Sequence, residues 1–322
     1  MNILITGVAG FIGYHLTKEL IRKNKVIGVD NLNNYYDITL KKKRLSNLLS
    51  DKNKKNFKFL KMDLSTKKNL NKLNNYKFDI VIHLAAQAGI RYSLKRPDQY
   101  IRSNINGFFN IIEFAKIKKI KKVIFASSSS VYGKSKNSKF KENIISNQPM
   151  QMYAATKLSN ELMAFSYHDL YKINFIGLRF FTVYGEWGRP DMAIFKFTDS
   201  ILKNKKLFLY NNGNNYRDFT YISDTVQGIK KSIDLIKRKK TIFEIFNIGN
   251  NKLTSTKSYL NEIVKNLKIK PKIFLLKKQK GEMILTNADI SKSKKMLKYK
   301  PTTSLAKGIK RYVSWFKSYY NY

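Results

Sequence analysis

Near its N-terminus the chain reads Ile3-Leu4-Ile5-Thr6-Gly7-Val8-Ala9-Gly10-Phe11-Ile12-Gly13, followed by a stretch with helical spacing at Leu16, Leu20 and Ile21. The first four residues form the short unbroken strand expected in the buried middle of a parallel sheet. A strand that runs into a glycine loop and then a helix aims backbone N–H groups and a helix N-terminus at one point. Glycines there let a phosphate-bearing ligand come close to the backbone. The segment predicts the first βα unit of an open parallel sheet with a dinucleotide at its carboxyl edge.

The following segments extend that sheet. Val26 to Val29 is a second strand ending at Asp30, whose carboxylate can accept both hydroxyls of an adenosine ribose and would repel a 2′-phosphate, so NAD is expected rather than NADP. Phe57 to Met62 alternates like a third strand, and Phe78 to Ala86 is a fourth whose small end residues Ala85 and Ala86 suit a flat cofactor. A helical segment from Asn104 to Lys116 precedes a fifth strand, Lys122 to Ala126, and Phe175 to Phe181 is another. The fold class is therefore α/β, a Rossmann-type doubly wound parallel sheet with a smaller mixed α/β substrate domain. The pattern loses regularity near Gly185, giving an NAD-binding domain over 1–185 and a smaller second domain over 186–322, with segments within about 218–250 as candidates to rejoin the first.

The serine run Ser127 to Ser130 lies at the carboxyl end of the fifth strand, where open α/β sheets bind ligands. Downstream, Tyr153 and Lys157 are four apart, which on a helix sets an ammonium beside a phenol. A nearby cation favours phenolate and moves a group of pKa near ~10 toward a useful base. Ser128 could hold the same substrate oxygen while a proton moves. Alone, a Tyr/Lys pair at this spacing is commonly an incidental surface pair; its convergence with the glycine loop, Asp30 and Ala85-Ala86 gives it weight.

Charge and composition bear on what the chain meets. Lys and Arg number 63 against 21 Asp and Glu, for a formal net charge of +42, which could signal nucleic acid or an anionic surface. The lysines are scattered, often beside asparagine, as in Asp51 to Asn56, and a general compositional bias accounts for them without specific nucleic acid; a polyanionic small substrate would still be attracted. There are no cysteines, hence no disulfides or thiolate chemistry, in keeping with a reducing cytoplasm. A strand at the start with no basic leader, and no apolar run of about 18 residues, predict a soluble cytoplasmic protein without a membrane span. The three histidines, His15, His83 and His168, have no metal-ligand spacing, so no metal site is expected; His83 reads as a packed strand residue.

The loop spacing G-x-x-G-x-x-G resembles the extended short-chain dehydrogenase/reductase superfamily. With Asn33 to Asp37, His83 to Arg91, Ser127 to Gly133, Tyr153 to Lys157, Arg179 to Gly185, Trp187 to Ala193 and Arg217 to Phe219, nearly the whole chain is similar to its nucleotide-sugar epimerases, most of all those acting at C4 of UDP-glucuronate. The resemblance implies NAD contacts at Gly7, Gly10, Phe11, Ile12, Gly13, Asp30, Asn31, Asp63, Leu64, Leu84, Ala85, Ala86, Asn104, Tyr153 and Lys157. It implies that Tyr153 takes the 4-OH proton, that Lys157 lowers the phenol pKa and binds the nicotinamide ribose, and that Ser128 orients the hydroxyl. Substrate contacts would come from Arg91, Ser128, Thr182, Arg189, Arg217 and Glu282, with Thr182 and Arg189 gripping a uronate carboxylate and Arg217 and Glu282 holding the UDP portion. Glu282 is one carbon longer than the aspartate usual there.

Oxidising C4 of a glucuronate makes a β-keto acid, which loses carbon dioxide when its C5–C6 bond aligns with the carbonyl π system, so an epimerase must hold the carboxylate out of that alignment. A bidentate arginine can do so. Within the same resemblance, 4,6-dehydratases resemble Thr-Asp-Glu at the serine run and UDP-glucuronate decarboxylases carry a Glu before Val-Tyr-Gly, where this chain has Ser129 and Ser130. Three readings stand beside the UDP-glucuronate 4-epimerising one: a 4-epimerase for UDP-glucose or another UDP-sugar, a UDP-glucuronate decarboxylase, and a basic nucleic-acid-binding protein on an inactive dehydrogenase fold. A homodimer through helices such as Asn104 to Lys116 and Tyr153 to Tyr171, and a role in surface polysaccharide synthesis, complete the expectations.

Overall fold

The computed structural model of the chain describes residues 1–134, 138–144, 148–278 and 283–322. Its strands are β1 (Asn2–Thr6), β2 (Lys25–Asp30), β3 (Phe57–Lys61), β4 (Ile80–His83), β5 (Lys122–Ser128), β6 (Asn174–Phe180), β7 (Thr182–Tyr184), β8 (Lys206–Tyr210), β9 (Tyr216–Tyr221), β10 (Phe243–Ile248), β11 (Leu253–Ser255), β12 (Lys272–Leu276) and β13 (Leu285–Thr286). The helices are α1 (Phe11–Leu20), α2 (Ile38–Leu49), α3 (Ile90–Lys95), α4 (Pro97–Tyr100), α5 (Gly107–Ile117), α6 (Met152–Tyr171), α7 (Ala193–Leu202), α8 (Ile222–Arg238), α9 (Thr256–Leu267), α10 (Ser291–Leu297) and α11 (Leu305–Tyr320).

A seven-stranded sheet runs in the order β10-β6-β5-β4-β1-β2-β3, with every neighbouring pair parallel. Apolar residues alternate between its two faces. Ile3, Ile5, Ile82, Ile124 and Ile176 pack on one side with Leu16, Leu20 and Ile229, while Leu4, Val81, Val123 and Phe175 pack on the other with Phe108, Ile111 and Ile112. Both faces are covered, which is why these strands carry unbroken apolar runs. Order reverses between β1 and β4, so the carboxyl ends of those two strands diverge into a crevice where the glycine loop sits.

After Phe180 the chain leaves this sheet. Strand β7 pairs with β9 in a four-stranded sheet that also holds β11 and β13, and β8 pairs with β12 as a separate ribbon. Helices α7, α9 and α11 pack there, with Phe219 stacked on Tyr259 at 3.8 Å between ring centroids. The chain then returns through α8 and β10, which lies along β6 in register from Phe243↔Phe175 to Ile248↔Phe180. Within residues 218–250, β10 thus belongs to the large sheet and β9 to the small one. Among the described residues no helix is long and apolar enough to cross a membrane.

Candidate functional site

The crevice is built first from glycines. Gly7 has φ of +79°, and a Cβ on it would lie 2.8 Å from the Ala85 backbone nitrogen; one on Gly13 would lie 2.0 Å from the Gly7 carbonyl oxygen. Helix α1 begins at Phe11 with no side chain capping it, so its first N–H groups face the cavity, a position that suits an anion. Phe11, Ile12, Leu84, Ala85 and Ala86 line the same cavity.

Asp30 closes one end of the cavity. Its carboxylate accepts from Ala9 N at 3.1 Å and Leu32 N at 2.8 Å. Burial pushes its pKa up, while those backbone donors and the ammonium of Lys41 oppose the shift. Asn31, Asp63 and Leu64 line this end too, with Asp63 fixed by Arg102 at 2.7 Å. The residues present fit a dinucleotide: a cradle without side chains, a helix N-terminus and a buried carboxylate at the end of β2.

Asn104 lies behind the cavity wall. It is wholly buried, and its amide bonds Gln87 N at 2.7 Å, Gln87 O at 3.1 Å and Thr156 Oγ1 at 3.0 Å. It holds the backbone of Gln87, which lines the cavity.

At the other end, Ser128 terminates β5, while Tyr153 and Lys157 occupy the first two turns of α6; all three line the cavity with the glycine loop. Burial raises the Tyr153 phenol above its ordinary value, and the groups that pull it back are the Ser128 hydroxyl and the positive field of Arg189. Lys157 is the cation expected to act on that phenol. Its Nζ donates to the Ala126 carbonyl at 2.8 Å, and burial brings its pKa down to about 8 against the pull of Glu161. Glu161, one turn further along α6, binds Arg179 at 2.9 and 2.7 Å and accepts from the Ser127 hydroxyl at 2.5 Å, so the end of β5 is tied to the helix carrying Tyr153.

Arg189 also lines the cavity, paired with Asp191, which in turn accepts from the Tyr35 hydroxyl at 3.0 Å. Tyr35 fits there because position 89 is glycine: a Cβ on Gly89 would lie 2.1 Å from the phenol oxygen. Thr182 opens β7, half-buried and just outside the lining residues. Arg91 lies beside the Tyr210 ring, its guanidinium carbon 5.2 Å from the centroid, and Arg217 donates to Tyr216 O and Ile284 O at 2.9 and 3.1 Å. Neither is among the residues that line the cavity. Glu282 lies outside the described residues. Tyr36 and Lys41 line the cavity, and Asp191 joins it through Arg189, without having been singled out; Tyr36 and Asp191 stand in motif segments whose polar residues could have been weighed individually.

His83 is a packed strand residue, its Nδ1 2.9 Å from Thr6 Oγ1 and its pKa driven down to about 3 by burial.

A parallel sheet that reverses order at a glycine crevice, with a serine, a tyrosine and a lysine on the facing wall, defines a dinucleotide-dependent α/β protein. The chain belongs to the NAD dependent epimerase/dehydratase family, whose model matches residues 3–249. It is 50% identical over 98% of its length to an uncharacterized protein of Methanocaldococcus jannaschii, of which 96% is covered. It is 41% identical over 98% of its length to a UDP-glucuronate 4-epimerase of Thermodesulfobacterium geofontis, of which 95% is covered. A crystal structure of the UDP-glucuronic acid 4-epimerase from Bacillus cereus with UDP-glucuronic acid and NAD superposes with a TM-score of 0.91 at 34% identity, covering 99% of this chain and all of that one.

Proposed function

We propose that the protein interconverts UDP-glucuronate and UDP-galacturonate by NAD-dependent epimerisation at C4. The observation that carries this reading is one cavity lined by the glycine loop and Asp30 at one end and by Ser128, Tyr153, Lys157 and Arg189 at the other. Gly7, Gly10, Gly13 and the first turn of α1 would hold the pyrophosphate, Asp30 and Asn31 the adenosine ribose, and Lys157 the nicotinamide ribose. Bound NAD supplies a hydride acceptor that takes hydride from C4 and later returns it to the other face of the ring.

Tyr153 takes the 4-OH proton, with Ser128 holding the same oxygen. A phenol raised by burial needs positive charge to ionise: Arg189 supplies part of it, and the ammonium of Lys157, one helical turn along α6, would supply the rest. Arg189 presents its guanidinium to the uronate carboxylate, with Thr182 beside it, holding the C5–C6 bond out of line with the C4 carbonyl so that carbon dioxide is retained. Arg91 and Arg217, with Glu282, would hold the UDP end.

A homodimer through α5 and α6 fits their exposed apolar residues Phe109 (44%), Leu162 (64%) and Phe165 (55%). Division into a cofactor unit and a sugar-nucleotide unit near Gly185, residence in the cytoplasm and supply of surface polysaccharide synthesis belong to the same proposal. The deciding experiment offers UDP-glucuronate and UDP-glucose separately and identifies products by NMR. UDP-galacturonate from the first supports the reading. Turnover of UDP-glucose alone, or a 4-keto pentose with carbon dioxide, overturns it.

A further inference from the structure

Arg44, on the second turn of α2, is fully buried, and the oxygens it meets are neutral. Its Nη1 donates to the Ala9 carbonyl at 2.9 Å and to the Tyr36 hydroxyl at 2.7 Å. Its Nε and Nη2 donate to the Trp187 carbonyl at 3.0 and 2.5 Å, and Nη2 also reaches the Gly188 carbonyl at 3.2 Å. Ala9 lies in the glycine loop. Trp187 and Gly188 lead directly into Arg189. The two loops are 178 positions apart (187 − 9) in the sequence, and one guanidinium bonds both.

The Trp187 backbone shows what this contact enforces. Its φ is +60°, a left-handed conformation that a bulky residue adopts only when its surroundings impose it. Two constraints hold it there. The carbonyl is bound by Arg44, and the indole packs against Trp315 and Tyr319 of α11, with ring centroids 5.3 and 5.0 Å away, and against Tyr14 of α1 at 5.6 Å. Arg44 is also felt at the adenosine end, where its charge helps keep the Asp30 carboxyl down. A planar fork of donors can serve two chain segments at once, which a single ammonium cannot do in the same geometry.

We infer that Arg44 is a positioning residue that fixes the uronate-binding arginine, Arg189, to the cofactor's glycine loop. It touches neither substrate nor cofactor and acts through the Trp187–Gly188 backbone. The inference rests on Arg189 taking the uronate carboxylate, and it names what sets the distance between that arginine and C4 of the sugar. Small displacements of a positioning group cost rate steeply.

The test uses the holoenzyme and the variants Arg44→Met and Arg44→Lys. The chain has two tryptophans, Trp187 and Trp315, so all of its indole emission comes from this contact. Arg44→Met is expected to raise acrylamide quenching of that emission and to raise KM for UDP-glucuronate about 10- to 100-fold. The inhibition constant of UDP, which has no carboxylate, stays at the wild-type value. Arg44→Lys keeps a buried cation and the wild-type melting temperature yet still shows the raised KM. Unchanged quenching in Arg44→Met, or KM and the UDP constant rising together in Arg44→Lys, overturns the inference. If the wild-type enzyme leaves UDP-glucuronate untouched, the uronate reading fails, while the quenching comparison still decides whether Arg44 anchors the loop.

Discussion

Arg189 and Asp191 form a two-point ion pair, Nε to Oδ1 at 2.9 Å and Nη2 to Oδ2 at 2.5 Å, with the arginine side chain 20% exposed. Asp191 offers the arginine the same fork that a uronate carboxylate would, so the guanidinium is already oriented for a planar anion. Arg189→Ala is expected to raise KM for UDP-glucuronate about 10- to 100-fold, the worth of a charge-assisted bond pair, and to release carbon dioxide during turnover. Steady-state kinetics with product analysis checks both; unchanged KM with no released carbon dioxide removes Arg189 from the carboxylate site.

Tyr153 sits at the facing wall with Ser128 as its hydroxyl neighbour. Replacing it with Phe deletes one oxygen and keeps the ring packed edge-on against Tyr100, centroids 6.0 Å apart. Turnover should fall about 10²- to 10⁴-fold, the usual share of a general base, while NAD remains bound. Turnover within a few-fold of wild type would assign the proton transfer elsewhere.

For Gly13→Ala the obstacle is the Gly7 carbonyl oxygen, 2.0 Å from the new Cβ. Backbone cannot yield there without opening the loop. The purified variant should emerge without NAD, measured by absorbance of the supernatant after denaturation, and a full complement of cofactor would mean that the loop tolerates the methyl.

His83 supplies a pH dependence. Its pKa falls from 6.5 to about 3 in the fold because burial disfavours the charged ring, so below pH 6.5 the unfolded chain binds a proton that the folded chain does not. Stability from this group is complete above 6.5 and is lost as pH falls toward 3, at about 1.4 kcal/mol per pH unit. Asp218, raised to about 6 by burial, contributes in the opposite sense over part of that range, so the comparison must be differential. His83→Leu should cost stability at pH 7, and its deficit relative to wild type should shrink by about 2 kcal/mol at pH 5. Denaturant unfolding at both values decides; a constant deficit would mean that the ring takes up its proton in the fold as readily as in the unfolded chain.

Features governed by neighbours in sequence were readable before the structure. The glycine loop, the apolar strands and the Tyr153/Lys157 spacing depend on residues within a turn or two, and these segments fell where expected. The environment of each group was not readable. Whether Lys157 faces the phenol or a carbonyl depends on where β5 ends relative to α6. Asn104 is a cofactor contact by resemblance, but the partners of its amide, Gln87 and Thr156, lie 17 and 52 residues away and only folding brings them to it. Arg44 is one basic residue among 63 in the sequence, and only folding distinguishes it, by setting it against carbonyls that lie 35 and 143 positions away.

Strand β10 has a consequence for how the protein is made. A nascent chain that has emerged through β6 holds an edge of unpaired backbone N–H and C=O groups until Phe243 to Ile248 arrive, and at about 5–20 residues per second that wait lasts several seconds. During synthesis the ribosome therefore presents a large sheet open on one side, and its completion waits on the segment translated after the whole of α8.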